Sequence, residues 1–132
     1  MKRYLQLSFS VLATSVLLFG CGSSQNSTNG TTYTLTDNGA VVTVQEDDYH
    51  IHMPTSFPSG NITFRIVNAG SMKHNFKISG NTIEQQLPSD LTGGQTTDMT
   101  VSLTPGTYHI YCPMLGHAAL GMQLDVTVTQ RQ

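Results

Sequence analysis

From Tyr33 onward, apolar and polar residues alternate along most of the chain. In "NITFRIV", Ile62, Phe64 and Ile66 alternate with Thr63 and Arg65, and in "DMTVSL", Met99, Val101 and Leu103 keep one register. "MQLDVTVT" repeats the pattern with Met122, Leu124, Val126 and Val128. A period of two puts alternate side chains on one face of an extended chain, the mark of a half-buried strand. "DNG" at 37–39 sits between two strand-like runs, as a hairpin turn requires. Further breaks fall at "PSG" (58–60), "NAG" (68–70), "SGN" (79–81), "TGG" (92–94) and "PG" (105–106). No segment carries an apolar stripe of helical period, although "EQQLPSDL" at 84–91 has room for a turn or two of helix. The pattern predicts an all-β protein, a Greek-key β-sandwich of seven or eight short antiparallel strands without internal repeats.

The first residues follow another rule. Lys2 and Arg3 precede an apolar run from Leu5 to Gly20 that stops at Cys21. The run is shorter than the ~20 residues needed to cross a bilayer, and its basic flank and small-residue end read as an export signal. "LFG" before Cys21 resembles a bacterial lipobox, which implies cleavage before Cys21 and attachment of lipid to its thiol; a plain secretory signal is the alternative. "GSSQNSTNGTT" at 22–32 holds neither apolar nor charged residues, so it is expected to be a flexible tether. The predicted organisation is a signal peptide at 1–20, a lipidated cysteine and tether at 21–32, and one folded domain at 33–132. That places the protein outside the cell, anchored to the membrane and facing the periplasm or exterior.

Charge excludes one large class of partners. Loss of residues 1–20 removes two of six basic residues and none of eight acidic ones, which leaves 4 − 8 = −4 with neutral histidines. A sparse, acidic surface does not suit nucleic acid. With Cys21 lipidated, Cys112 has no partner in the chain, and an unpaired thiol in an oxidising compartment calls for a reason such as metal ligation.

The candidate chemistry lies in "YCPMLGHAALGM" at 111–122. Cys112, His117 and Met122 fall at five-residue intervals, and alternation through "YHIYC" puts Tyr108, Ile110 and Cys112 on the inward face. His109 and Tyr111 then face outward, His109 toward solvent. Upstream, "HNFKIS" puts His74, Phe76 and Ile78 inward. Fully extended, Cys112 to His117 would span roughly 16 Å, too far for two ligands of one ion. Pro113, Gly116 and Gly121 allow the chain to fold back and present thiolate, imidazole and thioether to one point. Two His, one Cys and a weak axial Met are the donor set of blue copper, whereas zinc gains little from a thioether. Met114 is the alternative axial donor, and a plain turn with a core Cys and Met is the alternative to any metal. His50 and His52 share one strand face beside "EDD" at 46–48, either a second, weaker metal site or an exposed polar strand face.

"GTYHIYC", "GHAALGM" and the upstream "HN" at 74–75 together resemble the cupredoxins, close in loop spacing to rusticyanin, sulfocyanin and auracyanin. The resemblance covers about residues 62–129. It implies a copper site with His74, Cys112 and His117 as equatorial ligands and Met122 as the axial one, and with Asn75 tying the two ligand loops by hydrogen bonds. Two positions depart from it. Leu115 stands where relatives commonly have Pro before the Gly-His pair, and Pro113, directly after the cysteine, has no amide hydrogen to give the thiolate.

Four protein ligands leave no open position for substrate, so outer-sphere transfer of single electrons is expected rather than enzymatic catalysis. The resemblance implies that the His117 edge reaches the surface, where the sequence supplies Met114, Leu115, Ala118, Ala119 and Leu120 as an apolar collar for brief docking; Tyr111 is either a further docking residue, as the resemblance implies, or a plain surface tyrosine. Redox proteins such as c-type cytochromes or a terminal oxidase are the implied partners of a monomeric carrier. A copper chaperone or store using the same ligands is the alternative. A multicopper oxidase would have histidine where Tyr111 stands, and a binuclear centre would need a second nearby cysteine.

Overall fold

The computed structural model describes residues 25–28 and 31–132, in which eleven strands, numbered in chain order, build two sheets. The first sheet runs in the order β1 (Gln25–Thr28), β2 (Thr31–Thr36), β3 (Gly39–Asp47), β6 (Gly60–Asn68), β9 (Thr96–Leu103), with β4 (His50–His52) also paired to β3. The second runs β5 (Ser56–Pro58), β11 (Gln123–Thr129), β10 (Gly106–Tyr111), β7 (Lys77–Gly80), β8 (Ile83–Gln86). A single helical turn, α1 (His117–Leu120), interrupts the connection from β10 to β11.

The inward residues of the alternating runs form the core. Val42 and Val44 of β3, Ile62, Phe64 and Ile66 of β6, Val101 and Leu103 of β9, and Tyr108 and Ile110 of β10 are all buried. Phe64 sits between Phe57 and Phe76, with ring centroids 5.9 and 5.1 Å away, and so joins the two sheets. On the outer face Arg65 pairs with Asp98, its register partner across β6 and β9. The hairpin at 37–39 forms with the two-residue turn that "DNG" announces, Thr36 facing Gly39.

Four features differ from expectation. There are eleven strands rather than seven or eight, because β4, β5, β7 and β8 span only three or four residues, too few for a periodic pattern to register. Not all pairs are antiparallel: β3 runs parallel to β6, and β5 to β11. Period two reports which face is buried and carries no information about the direction of the neighbour. The 84–91 segment begins with strand β8 and holds no helix. Finally, Gln25–Thr28, within the expected tether, pairs antiparallel with residues 31–34, Asn26 facing Tyr33. The expected signal at 1–20 and lipid attachment at Cys21 lie outside the described residues. Among the described residues, no helix is long and apolar enough to cross a membrane.

Candidate metal centre

Strand register brings the candidate ligands together. β10 pairs with β7 so that Tyr111 faces Lys77, and with β11 so that Tyr111 faces Gln123. The residues just past those pairs are Cys112 beside the 74–76 segment and Cys112 beside Met122. Two hydrogen bonds record both approaches: the Asn75 amide donates to Cys112 Sγ at 3.5 Å, and the Cys112 amide donates to the Met122 carbonyl at 3.0 Å. His74 is held in turn by an isolated bridge to Leu91, with mutual amide–carbonyl bonds of 3.0 and 2.8 Å.

His117 enters from the loop. Gly116 adopts φ +83°, which an L side chain rarely takes, and this reversal starts the helical turn. The His117 amide donates to the Met114 carbonyl and the Met122 amide donates to the His117 carbonyl, both at 3.1 Å, so the loop closes on itself.

Donor atoms of His74, Cys112 and His117 lie within 4.8 Å of one another, and all three residues are buried. The two Nδ1 atoms are 3.2 Å apart, and Cys112 Sγ is 3.6 Å from His117 Nδ1. Met122 is fully buried at the same end of the sandwich, whereas Met114 is half-buried. Among the described residues no other group of His, Cys, Asp and Glu converges in this way. His50 and His52 instead stack on each other and lie 3.5 and 2.8 Å from Asp47 oxygens, on the exposed face of β4.

The sequence of this chain matches the family described as the cupredoxin-like domain over residues 11–123. It is a cupredoxin-like protein. No curated protein matches it. Among solved structures it is similar to dithionite-reduced auracyanin from the photosynthetic bacterium Roseiflexus castenholzii, with 19% identity, a TM-score of 0.58, and 67% of this chain and 96% of that one covered. Auracyanin B is similar at 20% identity and a TM-score of 0.57, with 74% and 94% of the two chains covered. At this identity the likeness is one of fold.

The family implies copper, and the donor set of this cupredoxin-like chain fits it: two imidazoles and one thiol converge with their polar atoms out of solvent, and Met122 is the next residue along the ladder. Without an ion, burial pushes the Cys112 thiol pKa up, offset in part by the amides of Asn75 and Met114 that donate to it. Burial, with the neighbouring His74, pulls His117 down, so its imidazole is biased to the neutral form that binds metal. Metal binding therefore has to displace a thiol proton but little or none from His117.

Sequence reasoning placed Asn75 between the ligand loops. Its backbone amide makes that link, while its side-chain amide donates to Asp90 Oδ1 at 2.8 Å and the Leu87 carbonyl at 3.4 Å. His109 faces outward and is paired with Asp125 at 2.8 Å, and Tyr111 is half-covered, with Lys77 Nζ 5.7 Å from its ring centre.

Three further residues were not singled out. Asp48 Oδ1 lies 2.9 Å from His74 Nε2. The Tyr49 ring meets that of His117 edge-on at 4.9 Å. Met72, two residues before His74, is one of four large hydrophobics left exposed among the described residues, and two of the others, Leu115 and Leu120, flank His117. The aromatic in the polar turn "EDDYH" was the signal for Tyr49; Asp48 and Met72 had none in the pattern.

Proposed function

We propose that this chain is a blue copper protein that carries single electrons by outer-sphere transfer between redox partners. His74, Cys112 and His117 would hold the ion, and Met122 would supply a weak thioether donor. The observation that carries this reading is the convergence of two imidazoles and one thiol, all buried, in a cupredoxin-like chain. Bound copper supplies a one-electron couple between Cu(I) and Cu(II). The protein's part is to hold its donors in one arrangement through both states and to keep water out. The backbone-closed loop from Cys112 to Met122 and the bridge from His74 to Leu91 support the first task. The zero exposure of His74, Cys112 and Met122 supports the second.

His117 keeps 7% of its surface exposed, and Leu115 and Leu120 beside it are 101% and 60% exposed. We take Met114, Leu115, Ala118, Ala119 and Leu120 as the surface on which a redox partner such as a c-type cytochrome or a terminal oxidase docks. An apolar patch without charges suits brief, weak contact. Export and lipid attachment at Cys21 belong to the same proposal and rest on the sequence of the first 21 residues. They put the domain at the outer face of a bacterial membrane, and the mass of the membrane-extracted protein tests them.

An absorption spectrum of the Cu(II)-loaded protein, followed through one cycle of reduction and reoxidation, tests the electron-carrier reading. An intense visible thiolate-to-copper band that bleaches and returns without metal loss is expected. Copper released on each cycle would instead favour a chaperone or store, and no band at all would remove copper–thiolate chemistry from this chain.

A further inference from the structure

Asp48, in the turn after β3, stands on the far side of the His74 ring from Cys112 and His117. Its carboxylate accepts from the Ser71 amide (2.9 Å), the Ser71 hydroxyl (2.6 Å), the Met72 amide (3.2 Å) and His74 Nε2 (2.9 Å). An ionised carboxylate can only accept, so the His74 nitrogen facing it must carry the proton. A neutral imidazole has one N–H, which leaves Nδ1 as a bare lone pair. That Nδ1 is the atom 3.2 Å from His117 Nδ1, on the side where Cys112 Sγ lies.

We infer that Asp48 is a positioning residue for His74: its carboxylate sets the imidazole in the tautomer and orientation that present Nδ1 to the metal, and its charge favours the oxidised ion over the reduced one. The inference rests on the copper reading for its second half only. A carboxylate that accepts from the outer nitrogen of a ligating imidazole raises the basicity of the inner one, and loss of such a partner typically costs 10- to 100-fold in metal affinity. The carboxylate is also one-quarter exposed, so it keeps its charge while touching a ring that is fully buried. A plain structural role is the competing account, because the bonds to Ser71 and Met72 also tie the β3–β4 turn to the segment before His74.

Two measurements on the purified protein separate these. Nitrogen-15 NMR of the metal-free wild type is expected to show His74 protonated on Nε2; a proton on Nδ1 overturns the inference without any variant. Redox titration of the Cu(II)-loaded protein is expected to give Asp48→Asn a higher midpoint than wild type by about 59 mV, a tenfold loss of preference for the oxidised ion. Ser71→Ala, which removes one tie of the loop and leaves the charge beside His74, should move the midpoint much less. Equal midpoints in wild type and Asp48→Asn, or equal shifts in Asp48→Asn and Ser71→Ala, reduce Asp48 to a loop tie. If His74 shows the expected tautomer, lost in Asp48→Asn, yet neither protein gives a thiolate-to-copper band, the positioning role stands and the copper reading falls.

Discussion

The loop from Cys112 to Met122 closes on its own backbone, whereas the segment around His74 is held by residues distant in sequence. In the loop, the amides of Cys112, His117, Leu120, Gly121 and Met122 all find carbonyls between 114 and 122. His74 depends on Leu91 for its backbone, on Asp48 for its ring, and on Asn68, whose side-chain amide donates to the Met72 and Leu91 carbonyls at 2.8 Å each. One half of the centre is thus a local motif, and the other is assembled from the ends of β3 and β6 and the bridge at Leu91. Damage to the first should act through ligand chemistry and loop strain. Damage to the second should act through packing far from the ligand.

The largest effect is expected at the shared point of both halves. Cys112→Ser replaces the buried thiol by a hydroxyl and should abolish the visible thiolate-to-copper band altogether, as an absorption spectrum of the Cu(II)-treated variant will read. A band of unchanged intensity would mean that another group supplies the chromophore.

Next comes Glu46, on the inward face of β3 and fully buried, with neither carboxylate oxygen hydrogen-bonded. Burial raises its pKa from 4.5 to about 8. The folded state therefore holds a proton that the unfolded chain releases, so stability is highest below about pH 4.5 and falls as pH rises toward about 8. By linkage the loss at pH 7 is roughly 3 kcal/mol. Urea unfolding at pH 5 and pH 8 checks it: Glu46→Gln should flatten that slope and be the more stable protein at pH 8.

Asn68→Ala removes both donors that brace the His74 side, together with the acceptor of the Gly70 amide. A stability loss of about 2 kcal/mol is expected from the three hydrogen bonds removed. Amide exchange should quicken at His74 and Leu91 and stay unchanged at His117 and Met122. Equal quickening in both halves would erase the distinction between them.

The smallest effect belongs to the loop's own turn. Gly116→Ala places a Cβ in open space but at φ +83°, so only backbone strain, about 1 kcal/mol, is expected. Hydrogen exchange at His74 should not respond.

How much of this was legible follows the same division. Alternation in β6, β7, β9, β10 and β11 named the core residues those strands supply, because a strand with one buried face must write that face at every second position, whereas Val42 and Val44 of β3 and Phe57 of β5 were not read. The residues of the Cys112–Met122 loop were legible because spacing and turn residues lie within one short stretch. Glu46 shows where composition misleads: "QEDD" reads as a solvated face, yet Glu46 continues the inward series of Val42 and Val44 and is buried with them. Asp48 could not be read at all, since its partners Ser71 and His74 are more than twenty residues away and no periodicity links them.

The sequence by itself determined that this chain is a β-sandwich, which side chains face inward, and that Cys112, His117 and Met122 share a loop able to turn back on itself. Those are consequences of local geometry, carried by periods of two and by residues that permit unusual φ. Tertiary structure alone decided that β3 runs parallel to β6, that Asp48 and Tyr49 reach the two histidines, and that the Asn75 side chain donates to Asp90. Each of these depends on the register between strands far apart in the chain. That register is set by the packing of the whole core, so no stretch of sequence contains it.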